Sequence, residues 1–522
     1  MSLHYIPLVA TTLALIYLSL LLLKHLATRS RRRTFAVSHH CALAPPWPST
    51  DPTPIGVDIL WGNLRAFRAH TLLARFQHGL STYSPPGSRT VALRILGSTN
   101  IVTADPRNLQ VMLATKSAEW SIGDDRTNEK KGMGRLLGRG VFTTEGEEWK
   151  DSRGMLRGAF ERKWVEDVSL FERHVKELIE AIEVEENKEE EGLVEVDLQP
   201  LFGKLSLDIS TEFLFGESTS TLAAGGSGEG EAFARAFDYC QNPFMADGMT
   251  VWNFLLEVIQ ELTPAYFTNF VDTLISRALT QPPNPTHPTF LSTLSTHDPA
   301  PSPLRLRSEC LNILLAGRDT TAALLSNLVW SLSRSAPTLT RLRAEIATAF
   351  PPSAAVRPSY AALKALPYLR AVLNESLRLH PVVPHNVRTA TTDTTLPFGG
   401  GAAGTAPVFV AAGSFVMWST YELHRRADVW GADAGEWRPE RWLDGEVGEG
   451  EEKLRPGWAY LPFGGGPRIC VGQQFALAEA GYVVVRLLQE FGRLESRDGE
   501  PWREKLSITC TGLGGCRVAL GR

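Results

Sequence analysis

The ten residues FGGGPRICVG, positions 463–472, constrain this chain more than any other stretch. Glycine inside a helix or strand costs about 0.5–1 kcal/mol relative to alanine, and proline removes a backbone donor. A segment this rich in both is an irregular loop whose backbone can turn tightly and approach another group closely. Arg468 stands just before Cys470 and can neutralise a carboxylate. The following residues, VGQQFALAEAGYVVVRLLQEF (471–491), carry helical periodicity. Cys470 is therefore expected just before a helix N-terminus, where free N–H groups and the helix dipole favour a thiolate.

Around this loop lies a chain of 522 residues, 43% of them hydrophobic. That is enough for one large domain or up to three ordinary ones. With 53 basic against 57 acidic residues, the formal net charge is −4, which gives no general attraction to nucleic acid. Cys41, Cys240, Cys310, Cys470, Cys510 and Cys516 are irregularly spaced, with no CxxC pair. A disulfide framework or zinc site is not expected, and most of these thiols should be reduced and buried.

The run IPLVATTLALIYLSLLLL, Ile6–Leu23, is uncharged over 18 residues. As a helix it rises about 27 Å, close to the thickness of a bilayer core. Lys24, His25, Arg29, Arg31, Arg32 and Arg33 follow it, and no positive charge precedes it. This order differs from a cleavable signal peptide and predicts that the basic side stays cytosolic. The alternative is a buried core helix. The expected organisation is a short non-cytosolic terminus (1–5), an anchor (6–23), a basic and proline-rich linker (24–48) ending in APPWP, and one catalytic domain (49–522).

Beyond residue 50 there is no repeat. Amphipathic segments such as 164–182 predict helices, and β-like runs are few: 90–96, 406–419 and 516–520. The fold is expected to be mainly α with small β-sheets. Segments 183–192, 218–231, 281–288 and 297–303 read as surface loops or a solvated helix end. No GxGxxG follows a strand, and no segment is left over for a flavin or nicotinamide domain.

Chemistry-bearing residues interrupt this helical pattern in four places. SECLNILLAGRDTTAALLSNLVWSLS (308–333) is apolar on nearly every face, yet Arg318, Asp319, Thr320 and Thr321 stand in its middle. Burying an unpartnered hydroxyl costs about 2–7 kcal/mol. The stretch is either a structural polar knot on a core helix or a groove with an acid and an alcohol placed for proton delivery. In YLRAVLNESLRLHP (368–381), Glu375 and Arg378 share one side of a helix stopped by Pro381. Arg441 follows in the proline-bounded turn EWRPERW (436–442), and in EEWKDSRGMLR (147–157) Trp149 and Arg153 share a helix face. An indole donor beside a guanidinium suits an anion such as a carboxylate. Together with the thiolate of the glycine-rich loop, these features match an iron porphyrin held through sulfur.

The sequence here resembles the cytochrome P-450 haem-thiolate monooxygenases. The family pattern FxxGxRxCxG is met in full by Phe463, Gly466, Arg468, Cys470 and Gly472. The pattern AGxDTT is met by Ala316–Thr321, ExxR by Glu375 and Arg378, and the PERW turn by Pro439–Trp442. The order and spacing are the family's, and the likeness runs from about residue 45 to the end. Within the family the text is most similar to fungal alkane and fatty-acid hydroxylases. Residues 218–231 and 281–303 depart from them and would reshape the pocket entrance.

The resemblance implies haem b with Cys470 as axial thiolate ligand, and proton delivery by Asp319 and Thr320 during dioxygen activation. Trp149, Arg153, Arg468 and Arg388 would bind haem propionates, and Glu375, Arg378 and Arg441 would form a structural triad under the haem loop. The implied partners are an NADPH–cytochrome P-450 reductase, a lipophilic substrate, dioxygen and a lipid bilayer, at the endoplasmic reticulum. The implied reaction is hydroxylation of a fatty acid, alkane or similar acyl chain, or the same chemistry on a polyketide- or fatty-acid-derived intermediate. A haem-thiolate isomerase or dehydratase and a non-enzymatic haem carrier are the rival readings. The Asp319–Thr320 pair speaks against both.

Overall fold

The computed structural model describes residues 5–51, 55–130, 132–160, 166–184, 192–223, 228–247, 263–280, 289–297, 301–351, 357–443 and 454–522. Helices dominate, and the strands gather in small sheets, as the sequence predicted. The elements used below are α1 (Tyr5–Ser38), α2 (Val57–Arg68), α3 (Leu72–Tyr83), β1 (Thr90–Ile95), β2 (Ser98–Thr103), β3 (Trp120–Ser121), α4 (Gly146–Ala159) and α5 (Ser169–Val184). They continue with β4 (Val194–Asp197), α6 (Leu198–Phe215), α7 (Gly228–Asp247), α8 (Thr263–Thr280), α9 (Phe290–His297), α10 (Pro303–Leu332) and α11 (Pro367–Leu379). The chain closes with β5 (His385–Ala390), β6 (Thr394–Gly400), β7 (Ala406–Val410), β8 (Phe415–Ser419), α12 (Gln473–Glu490), β9 (Arg493–Ser496), β10 (Glu504–Leu506), β11 (Cys510–Gly512) and β12 (Arg517–Gly521).

Five strands form one sheet in the order β1-β2-β8-β5-β3, with β2 and β8 parallel. The β1–β2 hairpin turns through Leu96 and Gly97, both left-handed at φ 48° and 80°, as a two-residue hairpin of matching twist requires. A second sheet runs β4-β12-β9, and β6–β7 and β10–β11 are separate hairpins. The run 406–419, one β-like stretch in the sequence, is two strands of different sheets. Gly413 at φ 85° reverses the chain between them, and the Ser414 N–H donates to the Ala411 carbonyl at 3.0 Å.

The largest core cluster joins α5, α6, α10, α11 and α12. At its centre α10 is buried on most faces. Its start is specified locally: the Ser302 hydroxyl accepts from the Arg305 N–H at 3.2 Å, and Pro303 occupies the first turn. Gly317 lets α10 lie close to α6, because a Cβ there would stand 2.7 Å from Ser210 Oγ.

One loop expectation is corrected. Thr219, Thr221 and Leu222 are buried, although 218–231 reads as a surface loop. Asp208 on α6 draws them in: its carboxylate accepts from Thr219 Oγ1 at 2.7 Å and from the N–H groups of Thr221 and Leu222 at 2.9 and 3.0 Å. From Gly228 onward the same stretch is α7. Residues 185–191, 224–227, 281–288 and 298–300, on which the other loop expectations fall, lie outside the described residues, as do Trp164 and Val165.

The first helix extends beyond the apolar run, through the basic cluster to Ser38, and its part from Thr12 is long and apolar enough to cross a membrane. Leucine, alanine, lysine and arginine all favour the helix, so nothing in the basic segment stops it. Arg32 Nε meets Asp393 at 3.2 Å, and Phe35 lies 5.7 Å from the Phe409 ring on β7. Beyond the helix, the Ala42 N–H donates to the Pro407 carbonyl at 2.8 Å. Of the cysteines, Cys310, Cys510 and Cys516 are free and buried.

Candidate functional site

The 463–472 loop folds back on itself. The Cys470 N–H donates to the Phe463 carbonyl at 3.0 Å, and the Ile469 N–H to that of Gly466 at 3.1 Å. Gly466 has φ 70°, and a Cβ on it would stand 1.8 Å from the Leu113 carbonyl oxygen, so only glycine fits. Gly472 then caps α12, and a Cβ there would lie 3.9 Å from Cys470 Sγ. Cys470 is exposed, yet protein surrounds it closely enough that burial pushes its thiol up. The Gly472 N–H and the Arg153 guanidinium pull the other way. The helix-end effect read from the sequence is present but outweighed by desolvation. A coordinated metal ion at this sulfur would favour the thiolate.

The predicted anion-binding residues meet beside this loop. Arg153 on α4 donates to the Ile469 carbonyl at 2.7 Å, while its Nε is buried with no hydrogen-bond partner. Arg468 lies over the Trp149 ring at 4.4 Å and donates to the Thr144 carbonyl at 2.9 Å. Burial holds Arg468 down at about 10 and Arg388 at about 9, and neighbouring cations add to both: Arg126 and Arg153 for the first, Arg126 and Arg468 for the second. Arg126 was not singled out by the sequence. It donates to Asn386 Oδ1 at 2.8 Å, and burial lowers it too. Nothing in GDDRTNEKKG marks it, since the arginines it faces are remote in sequence. Arg126 weighs on both Arg468 and Arg388, Arg153 on Arg468 and Arg468 on Arg388, with Glu145 opposing them at Arg388 and Arg468; such a group of guanidinium charges is a site for added negative charge. A porphyrin's two carboxylates, with a close-approach glycine loop and a cysteine beside them, fit these residues.

Asp319 and Thr320 stand half-buried on α10, the helix wall the sequence proposed. The Thr320 hydroxyl donates to the Ala316 carbonyl at 2.5 Å, a back-bond within the helix that can be exchanged for another acceptor. Asp319 accepts from Arg318 at 3.0 Å.

The triad closes as a buried knot. Glu375 accepts from Arg378 Nε and Nη2 at 2.9 and 2.8 Å, Arg441 Nε at 3.0 Å, Trp442 Nε1 at 2.9 Å and the Arg438 N–H at 2.9 Å. Arg378 also donates to the carbonyls of His424, Ala434 and Glu436. His424, unmarked in the sequence, carries this support to the loop. Burial and the cations Arg378 and Arg425 hold its imidazole down at about 3, so it is neutral, and its Nε2 accepts the Leu461 N–H at 2.9 Å.

Known proteins match this chain over most of its length. The cytochrome P450 family model matches residues 60–510. Cytochrome P450 monooxygenase himC of Aspergillus japonicus is 36% identical over 507 residues, covering 94% of this chain and 85% of that one. Cytochrome P450 52A1 of Candida tropicalis is 40% identical over 454 residues, covering 82% and 79%. The heme domain of cytochrome P450DA shares the fold, with a TM-score of 0.76 at 21% identity over 92% of this chain and 98% of that one.

Proposed function

This chain belongs to the cytochrome P450 family, and on that premise we propose that it is a membrane-anchored monooxygenase inserting one oxygen atom into a C–H bond of a fatty acid, alkane or similar acyl chain. The observation that carries the site assignment is the group of coupled cations Arg126, Arg153, Arg388 and Arg468, which reaches Cys470 through Arg153, the residue whose guanidinium carries an orphaned nitrogen. When bound, haem supplies the dioxygen reduction and C–H oxidation, and the protein supplies orientation and electrostatics. Cys470 is the ligand, and the arginines with Trp149 clamp the two carboxylates. Phe463, Gly466 and Gly472 shape the loop, and Glu375, Arg378 and Arg441 hold it from below. Thr320 offers a hydroxyl and Asp319 a carboxylate for moving protons from solvent to the reacting face.

The lipid-like substrate class rests on the sequence likeness to fungal alkane and fatty-acid hydroxylases, and a polyketide- or fatty-acid-derived intermediate is the alternative. Residues 6–23 are the proposed anchor, 24–48 the linker and 49–522 the catalytic domain, on the cytosolic face of the endoplasmic reticulum. Electrons come from a separate NADPH-dependent reductase. The test is spectral and chemical. The reduced, carbon-monoxide-bound protein should show the Soret band of thiolate ligation, lost in Cys470→Ala. With reductase and NADPH, one of a panel of alkanes, fatty acids and polyketide-like acids should shift the spin state and be hydroxylated. A Soret band unchanged in Cys470→Ala would remove the ligand assignment.

A further inference from the structure

On α10, one residue before the acid, Arg318 is 7% exposed. Family patterns leave this position unspecified, as the x of AGxDTT, yet here a full guanidinium is buried. One nitrogen of it serves two helices. Arg318 Nη1 donates to Asp319 Oδ1 at 3.0 Å and also meets Asp238 Oδ1 on α7. Its guanidinium carbon lies 5.1 Å from the ring of Phe237, the neighbour of Asp238. Burial opposes the charge, and the two carboxylates overcome it, holding the guanidinium above its ordinary value. Nε has no hydrogen-bond partner, so the placement of this cation depends on the shared nitrogen and the ring contact. A buried charge keeps its place only where carboxylates compensate it, and here the outer one, Asp238, is exposed at the edge of the helix.

We propose that Arg318 is a positioning residue: it fixes the Asp319 carboxylate for proton delivery and is itself held in place by Asp238 across the α7–α10 contact. The inference rests on the reading of Asp319 given above. In this arrangement the orientation and acidity of the groove's carboxylate depend on where α7 sits, because a shift of α7 withdraws one of the two groups that hold the same nitrogen. Arg318 is then less firmly placed against Asp319. Anything that moves α7 is felt at the acid without touching it.

The experiment uses the full-length, haem-loaded protein with reductase and a spin-shifting substrate, in the variants Arg318→Gln, Arg318→Lys, Asp238→Asn and Asp319→Asn. NADPH, peroxide and product are measured together against pH, and thermal unfolding is followed for Arg318→Gln, Asp238→Asn and their double variant. Removing the cation raises the Asp319 pKa, so in Arg318→Gln the acid limb of product per NADPH should move to higher pH. The ratio should fall about tenfold, the factor expected for one charge-assisted hydrogen bond. Arg318→Lys should recover part of it. Asp238→Asn should act in the same direction but less, and the unfolding shifts of the pair should be non-additive. Wild-type ratio and pH profile in both Arg318→Gln and Asp238→Asn, with Asp319→Asn still uncoupled, would overturn this inference alone. An Asp319→Asn variant with normal coupling would overturn the reading of Asp319 and this inference with it. Should Arg318→Gln fail to fold, Asp238→Asn at its exposed site decides the matter.

Discussion

Replacing Glu375 with alanine removes the one carboxylate on which two buried guanidinium groups converge. Glu375 and Arg378 are both 0% exposed, and Arg441 is 6% exposed. Arg441 retains Asp433, at 3.2 Å, but Arg378 is left with no carboxylate, only backbone carbonyls and the Trp430 ring at 5.2 Å. Stranding a buried charge costs about 3–5 kcal/mol. Against a typical total stability of about 5–15 kcal/mol, that is about a fifth or more. Unfolding entropy near about 2 cal/mol/K per residue gives a chain of this size roughly 1 kcal/mol per degree. The unfolding midpoint should then drop by about 3–5 °C. The haem signal should fall by more than this modest shift implies, because the loss is focused on one path: Glu375 to Arg378, Arg378 to the His424 carbonyl, and His424 Nε2 to the Leu461 N–H at the entrance of the 463–472 loop. The assay pairs differential scanning calorimetry with the haem-to-protein absorbance ratio of freshly purified Glu375→Ala. Wild-type occupancy with a midpoint within one degree would refute the stranded-charge reasoning.

Thr320→Ala removes one hydroxyl and preserves helix propensity, so fold and spin shift should survive while product per NADPH falls severalfold and peroxide rises; unchanged coupling would exclude the hydroxyl from proton delivery. Glu479 on α12 is buried against Ser206, and burial pushes its carboxyl up to about 8. The folded protein therefore binds a proton that the unfolded chain releases near about pH 4.3. Stability is lost as pH rises through that window, and Glu479→Gln should lose less. Its urea midpoint should gain on the wild type at pH 8 relative to pH 4.5, and equal differences at both would contradict the assignment. In sealed microsomes, added protease should digest residues 45–522, whereas full protection would invert the proposed orientation.

How much of this was legible in the sequence depended on the range of the contacts. The glycine loop, the α10 interruption and the ExxR pair each lie within one turn or helix, and their residue types alone point to the chemistry. The triad's third member was found through its proline-bounded turn. Arg126, His424 and Asp208 were not found, because each acquires meaning from partners that the chain brings in from elsewhere. His424 reads as an ordinary histidine until Leu461 and Arg378 close on it. Thr219 and Thr221 read as loop residues because the carboxylate that buries them belongs to the preceding helix. The split of 406–419 carried a visible signal, Gly413, in a run whose flanking β-branched and aromatic residues masked it.

The continuation of α1 past its apolar run changes what kind of attachment the anchor provides. From Leu23 to Ser38 the helix rises about 22 Å, and Phe35, Arg32 and the Ala42 backbone fasten its far end to the β6–β7 hairpin. The ion pair is half-buried, and it acts together with the backbone bond and the ring contact in carrying the join. On the proposed topology this is a strut, where a glycine-rich tether would have been a rope. A rope lets the catalytic body sample every tilt above the bilayer, and a strut sets one standoff and one azimuth. The face offered to an electron donor and the mouth offered to lipid then become fixed coordinates of the membrane plane. Shortening the strut by a residue turns the body by about 100° about the helix axis while lowering it by only about 1.5 Å, so rotation is the variable to which such a mounting is most sensitive.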